Sequence, residues 1–355
     1  MPKNSICIKV PKKEGEKAIT IAYRLKIINR ELEIQRDTSY IHIPLEREPT
    51  LEELEIMKKE ISNIEISVEP FPERKKQKTL LEALENKLPP HLLASIPRAM
   101  DVIGDIAVIE VPAELEPYRK ELGEAILHTQ KGIKTVLAKE SAVDGIYRLR
   151  KYSLLAGEQR TMTVHKEYGC KYYVDLARAY FSPRLSYEHS RVASQVKENE
   201  TVIDMFAGVG PFSVLIAKSH EKVKVYAIDI NPDAIELLKK NIKLNKVTDK
   251  VYPVVGDAKQ IIKEKLRGLA DRVVMNLPEK SMEFIDASCL ALKPNGGIIH
   301  FYSFIKTSES IEDLQKRFRE EVNRAGRHVK EILFSRVVRE IAPYKWQVVI
   351  DSEIG

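Results

Sequence analysis

The strongest constraint on the fold is a regular alternation of short apolar runs and amphipathic stretches that begins at Ser182. Ser182 is predicted to cap the first helix, with Pro183 as its first helical residue. Strands are predicted at TVIDMFA, KVYAIDI, VYPVVGD, RVVMNL and GIIHFYSF, with helices starting near Phe212, Pro232, Ala258 and Ser281. Because each strand returns through a helix, this order requires an α/β fold with a mostly parallel, doubly wound sheet. Two final strand runs, VKEILFSRVVREIA and KWQVVIDSEI, have no helix between them and are predicted to pair antiparallel.

Two smaller α/β regions precede this sheet. Residues 1–68 have their own apolar positions and predict a separate N-terminal module. Residues 69–79 combine prolines with the basic cluster Arg74, Lys75, Lys76 and Lys78, which is typical of a linker and fits either a solvated tether or an RNA contact. Residues 80–181 alternate helix and strand patterns and then turn to strands, with Gly169 at a predicted hairpin turn. Residues 182–355 form the domain with the regular sheet.

Composition excludes several classes of protein. The chain has 355 residues, 43% of them hydrophobic, which is enough to bury more than one core. The formal net charge of +6 permits a polyanionic partner without requiring one. Cys7, Cys170 and Cys289 are far apart, which argues against a disulfide framework and favours the cytoplasm. The sequence predicts no membrane span, and its 31% of charged residues would suit a thermophile.

Polar and glycine signals stand at the ends of four predicted strands. In an open parallel sheet these ends meet at one edge, where ligands bind. The turn DMFAGVGPF has Asp204 and Phe206 before Gly208 and Gly210, which allow a ligand to approach the backbone. The other three strand ends carry the pairs Asp229 and Ile230, Asp257 and Ala258, and Asn276 and Pro278. Asp229 is expected to bind ribose hydroxyls, Ile230 to lie against adenine, and Asp257 to accept from an adenine amino group.

Each of these residues also has a structural explanation, since glycines shape turns and aspartates cap helices. A nicotinamide enzyme shares Gly208, Gly210 and Asp229, so the glycine turn alone does not identify the cofactor. Ser213 in place of a third glycine, and the Asn-x-Pro sequence after the fourth strand, favour S-adenosyl-L-methionine. The terminal strand pair likewise favours a methyltransferase sheet over the two symmetric halves of a dehydrogenase.

At this point several runs of sequence carry a resemblance to a known family. They are GEQRTMTVHKEYG, VDLARAYFSPRLSYE, DMFAGVGPF, YAIDINPDAIELLKKNIKLN and MNLPEKS. They closely resemble the archaeal and eukaryotic tRNA (guanine-37, N1) methyltransferases, which have a class I, Rossmann-like catalytic domain. The densest agreement runs from about Val143 to Pro278.

The resemblance implies methyl transfer from S-adenosyl-L-methionine to N1 of guanosine 37 of tRNA. It implies that Glu188 is the general base, that Arg148 stabilises negative charge on O6, and that Asn276 orients the cofactor or the substrate. It also implies that His189 contacts the cofactor, that Arg184 and Pro278 contact the substrate with Arg148, and that the N-terminal module touches the outer corner of the tRNA. We expect a monomer and no metal, because the histidines show no metal-ligand spacing.

Simpler readings of these residues remain open at this point. Glu188 has Arg184 and Arg191 at helical spacing, which would suit an ordinary surface ion pair. Arg148 and Arg150 would share one face of a predicted strand as solvated charges or phosphate contacts. Two relatives of the family act on a wyosine precursor: one transfers a methyl group and the other an aminocarboxypropyl group. The methyl-transferring relative tends to have Asn-Pro-Pro-Tyr where this chain has NLPEKS, and this difference favours the guanosine enzyme. Two alternatives come from other classes: a nicotinamide oxidoreductase, and a non-catalytic RNA-binding protein that retains the cofactor fold.

Overall fold

The computed structural model describes residues 2–74 and 79–355 and divides into two compact units, residues 1–79 and residues 80–355. Each unit has its own hydrophobic core. The three basic residues of the predicted linker at positions 75, 76 and 78 lie outside the described part of the chain.

The first unit is a four-stranded antiparallel sheet covered on one face by two helices. Its elements are β1 (Lys3–Pro11), α1 (Gly15–Arg24), β2 (Gln35–Arg36), β3 (Tyr40–Pro44), α2 (Leu51–Glu60) and β4 (Glu65–Phe71), and the strand order is β2-β3-β1-β4. Alternate residues such as Ile8, Ile41 and Ile43 are buried together with residues of α1. Strand β4 continues to Phe71, so the first residues of the predicted linker belong to the sheet.

The second unit begins with a small mixed sheet. Its elements are α3 (Leu80–Leu84), β5 (Asp101–Ile103), β6 (Ile106–Ile109), α4 (Arg119–Thr129), β7 (Thr135–Lys139) and β8 (Tyr152–Gly157), in the strand order β5-β6-β7-β8. A hairpin follows, with β9 (Met162–Glu167) paired antiparallel to β10 (Cys170–Asp175). Tyr168 and Gly169 between them both have positive φ, so the hairpin turn predicted at Gly169 is confirmed.

The predicted strand around Arg148 starts later than expected. Strand β8 begins at Tyr152, whereas Arg148 lies in a tight turn closed by a bridge between Asp144 and Leu149. Arg148 itself has a φ of 56°, a left-handed conformation that no strand residue adopts. The expectation that Arg148 and Arg150 share one face of a strand is therefore wrong.

The rest of the second unit is built on a seven-stranded sheet with helices on both faces. Its elements are α5 (Ser186–Gln195), β11 (Thr201–Asp204), α6 (Pro211–Ser219), β12 (Lys224–Asp229), α7 (Pro232–Asn245), β13 (Val251–Val255), α8 (Ala258–Ile261), β14 (Arg272–Met275), α9 (Ile285–Ala291), β15 (Gly297–Lys306), α10 (Ile311–Arg324), β16 (Val329–Ala342) and β17 (Lys345–Ile354). The strand order is β13-β12-β11-β14-β15-β17-β16. The pairs among β11 to β15 are parallel, and β17 runs antiparallel to both β15 and β16.

The predicted doubly wound sheet with a terminal antiparallel pair is thus confirmed, with local differences at two helix starts. Pro183 opens a short 3₁₀ turn and the α-helix begins at Ser186, while the Ser182 hydroxyl accepts from Arg339 instead of capping the helix. Ser281 likewise opens a 3₁₀ turn ahead of α9. One core includes residues on both sides of the predicted boundary at 181/182, such as Tyr172 and Val225. None of the helices in residues 2–74 and 79–355 has the length and apolar composition of a membrane span.

Candidate cofactor and active site

A cavity of about 670 Å³ lies at the carboxyl ends of β11 to β14, in the size range of small-molecule sites. Strand β11 lies between β12 and β14, so the chain reverses its direction of winding here, which is where such sheets bind ligands. The predicted site residues that line the cavity are Arg148, Arg184, His189, Phe206, Gly208, Asp229, Ile230, Asp257, Ala258, Asn276 and Pro278. Asp204, Glu188 and Gly210 are outside this lining, within the part of the chain that the structure describes.

The glycine turn joins β11 to α6, and its two glycines have different tasks. Gly208 has a φ of 55° and lines the cavity. Gly210 has a φ of 90° and caps α6, and a Cβ there would lie 2.3 Å from Leu238 Cδ1 on α7. Gly208 therefore allows close approach to the cavity, whereas Gly210 is required for the turn and for helix packing.

Asp229 is fixed by the backbone around it. One carboxylate oxygen accepts from the Gly208 N–H at 2.7 Å and the other from the Asn231 N–H at 2.8 Å. Burial raises the pKa of Asp229, and these two hydrogen bonds oppose the shift. Each oxygen retains a lone pair that can accept from a hydroxyl group in the cavity. Ile230 next to it is 41% exposed and offers an apolar surface.

The third strand end carries a carboxylate that already has a structural contact. Asp257 accepts from the Gln260 N–H at 3.1 Å and so caps α8, as its structural explanation expected. It also lines the cavity beside Ala258, so one carboxylate can serve both purposes. On the same side, the rings of Phe206 and Phe284 meet edge to face with centroids 5.0 Å apart.

The loop after β14 is tied to the terminal strand pair. The Asn276 Oδ1 atom accepts from Gln347 Nε2 of β17 at 3.3 Å, and Pro278 is buried beside it. The Ser281 hydroxyl donates to the carbonyl of Leu277 at 2.7 Å and so closes the loop. Because Gln347 fixes its side-chain oxygen, Asn276 presents the amide in one orientation.

Asp204 is the last residue of β11 and is buried outside the cavity lining. Its carboxylate is fully buried and accepts from the Ser213 hydroxyl at 2.7 Å. Burial raises the pKa of Asp204 to about 7, although Ser213 and the Phe206 N–H oppose the shift. Its other oxygen has no hydrogen-bond partner among the described residues. The serine at the third glycine position of the turn therefore supports this buried carboxylate.

Arg148 presents an incompletely used guanidinium to the cavity. It lies over the ring of Tyr180, with the guanidinium carbon 5.0 Å from the ring centroid. Its nearest carboxylate, on Glu279, is 3.7 Å away. The buried Nε atom has no hydrogen-bond partner within the described ranges. A positioned cation with unused donors is suited to an anionic oxygen.

Arg184 and His189 are both already paired. The Arg184 Nε atom donates to Asp101 at 2.5 Å, a contact with a residue on β5 that sequence spacing did not indicate. His189 is 1% exposed and packs edge to face on Phe212, and its Nδ1 atom lies 2.6 Å from Glu167. Burial would raise the pKa of Glu167, but hydrogen bonds with His165 and His189 outweigh it and lower the pKa to about 2.

Glu188 is 1% exposed, so the simpler alternative of an ordinary surface ion pair is wrong about the location, although Arg191 does pair with it. One carboxylate oxygen accepts from Tyr302 at 2.7 Å and from Arg191 at 3.0 Å, and the other accepts from Arg336 at 2.5 Å. Burial would raise the pKa of Glu188, but the hydrogen bonds of Arg191 and Arg336 outweigh it and lower the pKa. Glu188 is therefore an ionised carboxylate next to the cavity-lining His189.

A chain of buried charged groups continues from Glu188 into the sheet. Arg191 also donates to Asp351, whose carboxylate lies 2.7 Å from His300 Nδ1. The other ring nitrogen of His300 lies 2.8 Å from Arg272, which pairs with Glu200. Burial lowers the pKa of His300, so the ring is neutral near pH 7. Its two partners, Asp351 and Arg272, carry opposite charges that balance each other.

Sequence reasoning missed the wall of the cavity formed by the C-terminal strands. Arg339 lines it from β16, donating to Gln347 at 2.9 Å and to Ser182 at 2.8 Å. Lys345 lies over the ring of Phe304, and both residues line the cavity. Alternation along β16 and β17 was the available signal, but it does not indicate which face meets the cavity.

The strand order, the glycine turn and the carboxylates at adjacent strand ends define a class I methyltransferase fold with a nucleoside-sized cavity. The profile of the TRM5/TYW2 methyltransferase domain matches residues 163–332, that of the TYW2 N-terminal domain matches residues 80–161, and that of the tRNA methyltransferase 5 N-terminal domain matches residues 7–53. The chain belongs to the TRM5/TYW2 methyltransferase family.

Relatives match the chain over different lengths. The tRNA (guanine(37)-N(1))-methyltransferase Trm5b of Pyrococcus abyssi is 37% identical over 99% of both chains, and its crystal structure aligns with a TM-score of 0.72. The structure of a complex of aTrm5 with tRNALeu aligns at 34% identity and a TM-score of 0.69 over 99% of this chain and 100% of that chain. The tRNA 4-demethylwyosine(37)-methyltransferase Taw21 of Saccharolobus solfataricus is 38% identical over 77% of this chain and 98% of its own length.

Proposed function

We propose that this protein transfers a methyl group from S-adenosyl-L-methionine to N1 of guanosine 37 in tRNA. The observation that carries the proposal is the cavity itself. It joins a predicted nucleoside site at Asp229 and Asp257 to the unpaired donor of Arg148. The full-length similarity to tRNA (guanine(37)-N(1))-methyltransferases supports the choice of substrate.

The cavity residues fit the cofactor chemically. Asp229 has lone pairs for ribose hydroxyls, Ile230 offers an apolar surface to the adenine, and Asp257 can accept from its amino group. Gly208 leaves the backbone open beside Asp229. When bound, S-adenosyl-L-methionine supplies an electrophilic methyl group that needs little activation beyond alignment with its acceptor.

The residues around the acceptor must then accept one proton and stabilise one developing negative charge. N1 of guanine carries a proton that must leave, and the negative charge spreads onto O6. We propose that Glu188 takes the proton, since its carboxylate is ionised and borders the cavity-lining His189. The Arg148 guanidinium would stabilise O6 with its unused donors. Asn276, held by Gln347, would orient the cofactor or the purine.

Glu188 needs one rearrangement to act as the base. Both of its oxygens accept hydrogen bonds, and Arg336 is the most exposed of the three partners, at 36% of its side chain. Release of Arg336 would free one oxygen and raise the pKa of Glu188, because that hydrogen bond lowers it. The guanine would have to leave the anticodon-loop stack to enter the cavity.

The remaining partners follow from the substrate. Arg184 and Pro278 lie on the cavity wall, where they would contact the anticodon loop beside Arg148. We propose that the first unit binds the outer corner of the tRNA, that the enzyme acts as a monomer, and that it acts in the cytoplasm, where mature tRNA is present.

The wyosine enzymes provide the alternative substrate class. The Taw21 relative matches 77% of this chain, whereas the guanosine-37 relative matches 99%. The match of residues 7–53 to the tRNA methyltransferase 5 N-terminal domain also favours the guanosine reaction.

The test is incubation of the full chain with unmodified tRNA transcript and labelled S-adenosyl-L-methionine, followed by nucleoside mass analysis. We expect 1-methylguanosine at position 37 and no labelling of a transcript with adenosine at that position. An aminocarboxypropyl mass, or label at another position, would reject the proposed reaction.

A further inference from the structure

The first unit carries a polar cluster on the sheet face opposite its helices. The cluster consists of Cys7 on β1, His42 on β3 and Glu69 on β4. Ser5, Cys7 and Lys9 are alternate residues of β1, so their side chains are on one face of the sheet. They lie opposite Glu69, Ser67 and His42, respectively, which therefore share that face. One ligand atom from each of Cys7, His42 and Glu69 lies within 4.8 Å of the others.

The contact of His42 with Asp37 favours the tautomer that leaves a lone pair on Nδ1. Its Nε2 atom lies 2.9 Å from the Asp37 carboxylate, which also accepts from the N–H groups of Ser39 and Tyr40. An Asp37 carboxylate held in this way is placed to accept the proton on Nε2. A carboxylate behind a histidine is the arrangement that orients metal-binding imidazoles.

The other ring nitrogen faces a second anion without a hydrogen bond. His42 Nδ1 lies 2.8 Å from Glu69 Oε2, yet the geometry makes no hydrogen bond, and Nδ1 has no partner among residues 2–74 and 79–355. A lone pair and a carboxylate oxygen this close repel each other unless a cation is shared between them. A metal ion bound by both atoms would supply that cation.

Cys7 adds a ligand that favours the metal. Its side chain is fully buried in a small cluster with Leu32 and Phe71, and its Sγ atom lies 3.1 Å from the Ser67 hydroxyl. The same hydroxyl donates to the remaining oxygen of Glu69 at 2.8 Å. Thiolate, imidazole and carboxylate are together the donor set of Zn²⁺.

We propose that the first unit binds a Zn²⁺ ion through Cys7 Sγ, His42 Nδ1 and a Glu69 carboxylate oxygen, with the fourth position held by water. Zinc bonds of about 2.0–2.3 Å place the ligand atoms of a tetrahedral site about 3.4 Å or more apart. His42 Nδ1 and Glu69 Oε2, now 2.8 Å apart, would therefore separate slightly by side-chain adjustment. The ion would join β3, β1 and β4, so it would stabilise the first unit. Zinc binding would release the thiol proton to solvent. Zinc binding at this place does not depend on the proposed methyl transfer, because the residues proposed to act on the base and the cofactor all lie in the second unit.

The experiment is a Co²⁺ titration of the full chain after dialysis against a chelator. We expect one equivalent of Co²⁺ to produce a near-ultraviolet thiolate charge-transfer band and visible bands of a tetrahedral site, both removed by Zn²⁺. Cys7→Ser should abolish the charge-transfer band. Cys289→Ser is the matched control, because Cys289 is also buried but lies in the second unit, and it should leave the band unchanged.

Two further variants keep the test decisive if Cys7→Ser does not fold. Glu69→Gln should weaken Co²⁺ binding at least tenfold, and Asp37→Asn, which removes only the support of His42, should weaken it by about 10- to 100-fold. Zinc should also raise the melting temperature of the wild-type chain and of Cys289→Ser. Absence of the charge-transfer band in the folded wild type, or a band that persists in folded Cys7→Ser, would overturn the proposal and leave a purely structural contact between His42 and its two carboxylates.

Discussion

Replacing Arg148 by alanine should remove much of the stabilisation of the anionic purine while leaving cofactor binding unchanged. The side chain is 17% exposed, and its buried Nε atom is unpaired within the described residues. Opposite unit charges about 4 Å apart at an effective dielectric constant of about 20 interact by about 4 kcal/mol. Because the negative charge is shared between O6 and the purine ring, we expect Arg148→Ala to lose about 3 kcal/mol of transition-state stabilisation. This loss corresponds to a rate about 150-fold lower.

The assay is single-turnover methyl transfer with saturating tRNA and S-adenosyl-L-methionine, together with a separate measurement of the cofactor Kd. Arg148→Lys should fall between the wild type and Arg148→Ala, since lysine retains the charge but not the planar fork over Tyr180. Arg178→Gln is the matched control, because Arg178 is 41% exposed, pairs with Asp233 and is not among the cavity residues in the described ranges. A rate for Arg148→Ala within threefold of wild type, or a loss matched by weaker cofactor binding, would refute the role in charge stabilisation.

Four other perturbations test the site. Glu188→Gln should slow single-turnover methylation by about 100-fold or more with an unchanged cofactor Kd. Because the change leaves the charges of Arg191 and Arg336 unbalanced, a thermal melt must show that the variant is folded. Arg336 lowers the pKa of Glu188, so Arg336→Gln should let the base protonate at higher pH and move the acid limb of the rate–pH profile to higher pH. An unmoved limb would count against Glu188 as the base. Asp229→Ala should raise the cofactor Kd by tenfold or more, measured by calorimetry, and an unchanged Kd would contradict its assignment. Gly210→Ala should lower the free energy of unfolding by about 2 kcal/mol or more. Gly268 is also at positive φ but has open space around it, so Gly268→Ala should lower the free energy of unfolding by only about 1 kcal/mol. Equal losses would argue against the packing role of Gly210.

The catalytic sheet could be predicted because its signals are local. Strands β11 to β15 are short apolar runs, and the helix starts at Pro211 and Pro232 carry proline at the first helical position. Local pattern determines where these elements begin, and the crossover rule then orders them. The strand-end carboxylates could be grouped for the same reason, because parallel strands end at one edge of the sheet.

The partners of the site residues could not be predicted, because they come from distant parts of the chain. Glu188 is bound by Tyr302 and Arg336, which are 114 and 148 residues away. Arg184 pairs with Asp101, although Glu188 is at helical spacing from it. The turn at Arg148 also gave no sequence signal, since a left-handed arginine depends on tertiary context.

The cluster in the first unit was missed for a related reason. Cys7, His42 and Glu69 have no recognisable spacing, because they come from three strands that become neighbours only when the sheet forms. Residues that are brought together in this way leave no local motif for a search along the sequence to find.

The most direct measurement of the central claim is a structure of the full chain with tRNA and a non-transferable cofactor analogue. We predict that the guanine at position 37 lies in the cavity, with Arg148 within hydrogen-bond distance of O6. Glu188 should have exchanged Arg336 for N1 of that base. A guanine bound elsewhere, or Glu188 still paired with Arg336 and out of reach of N1, would contradict the proposed mechanism.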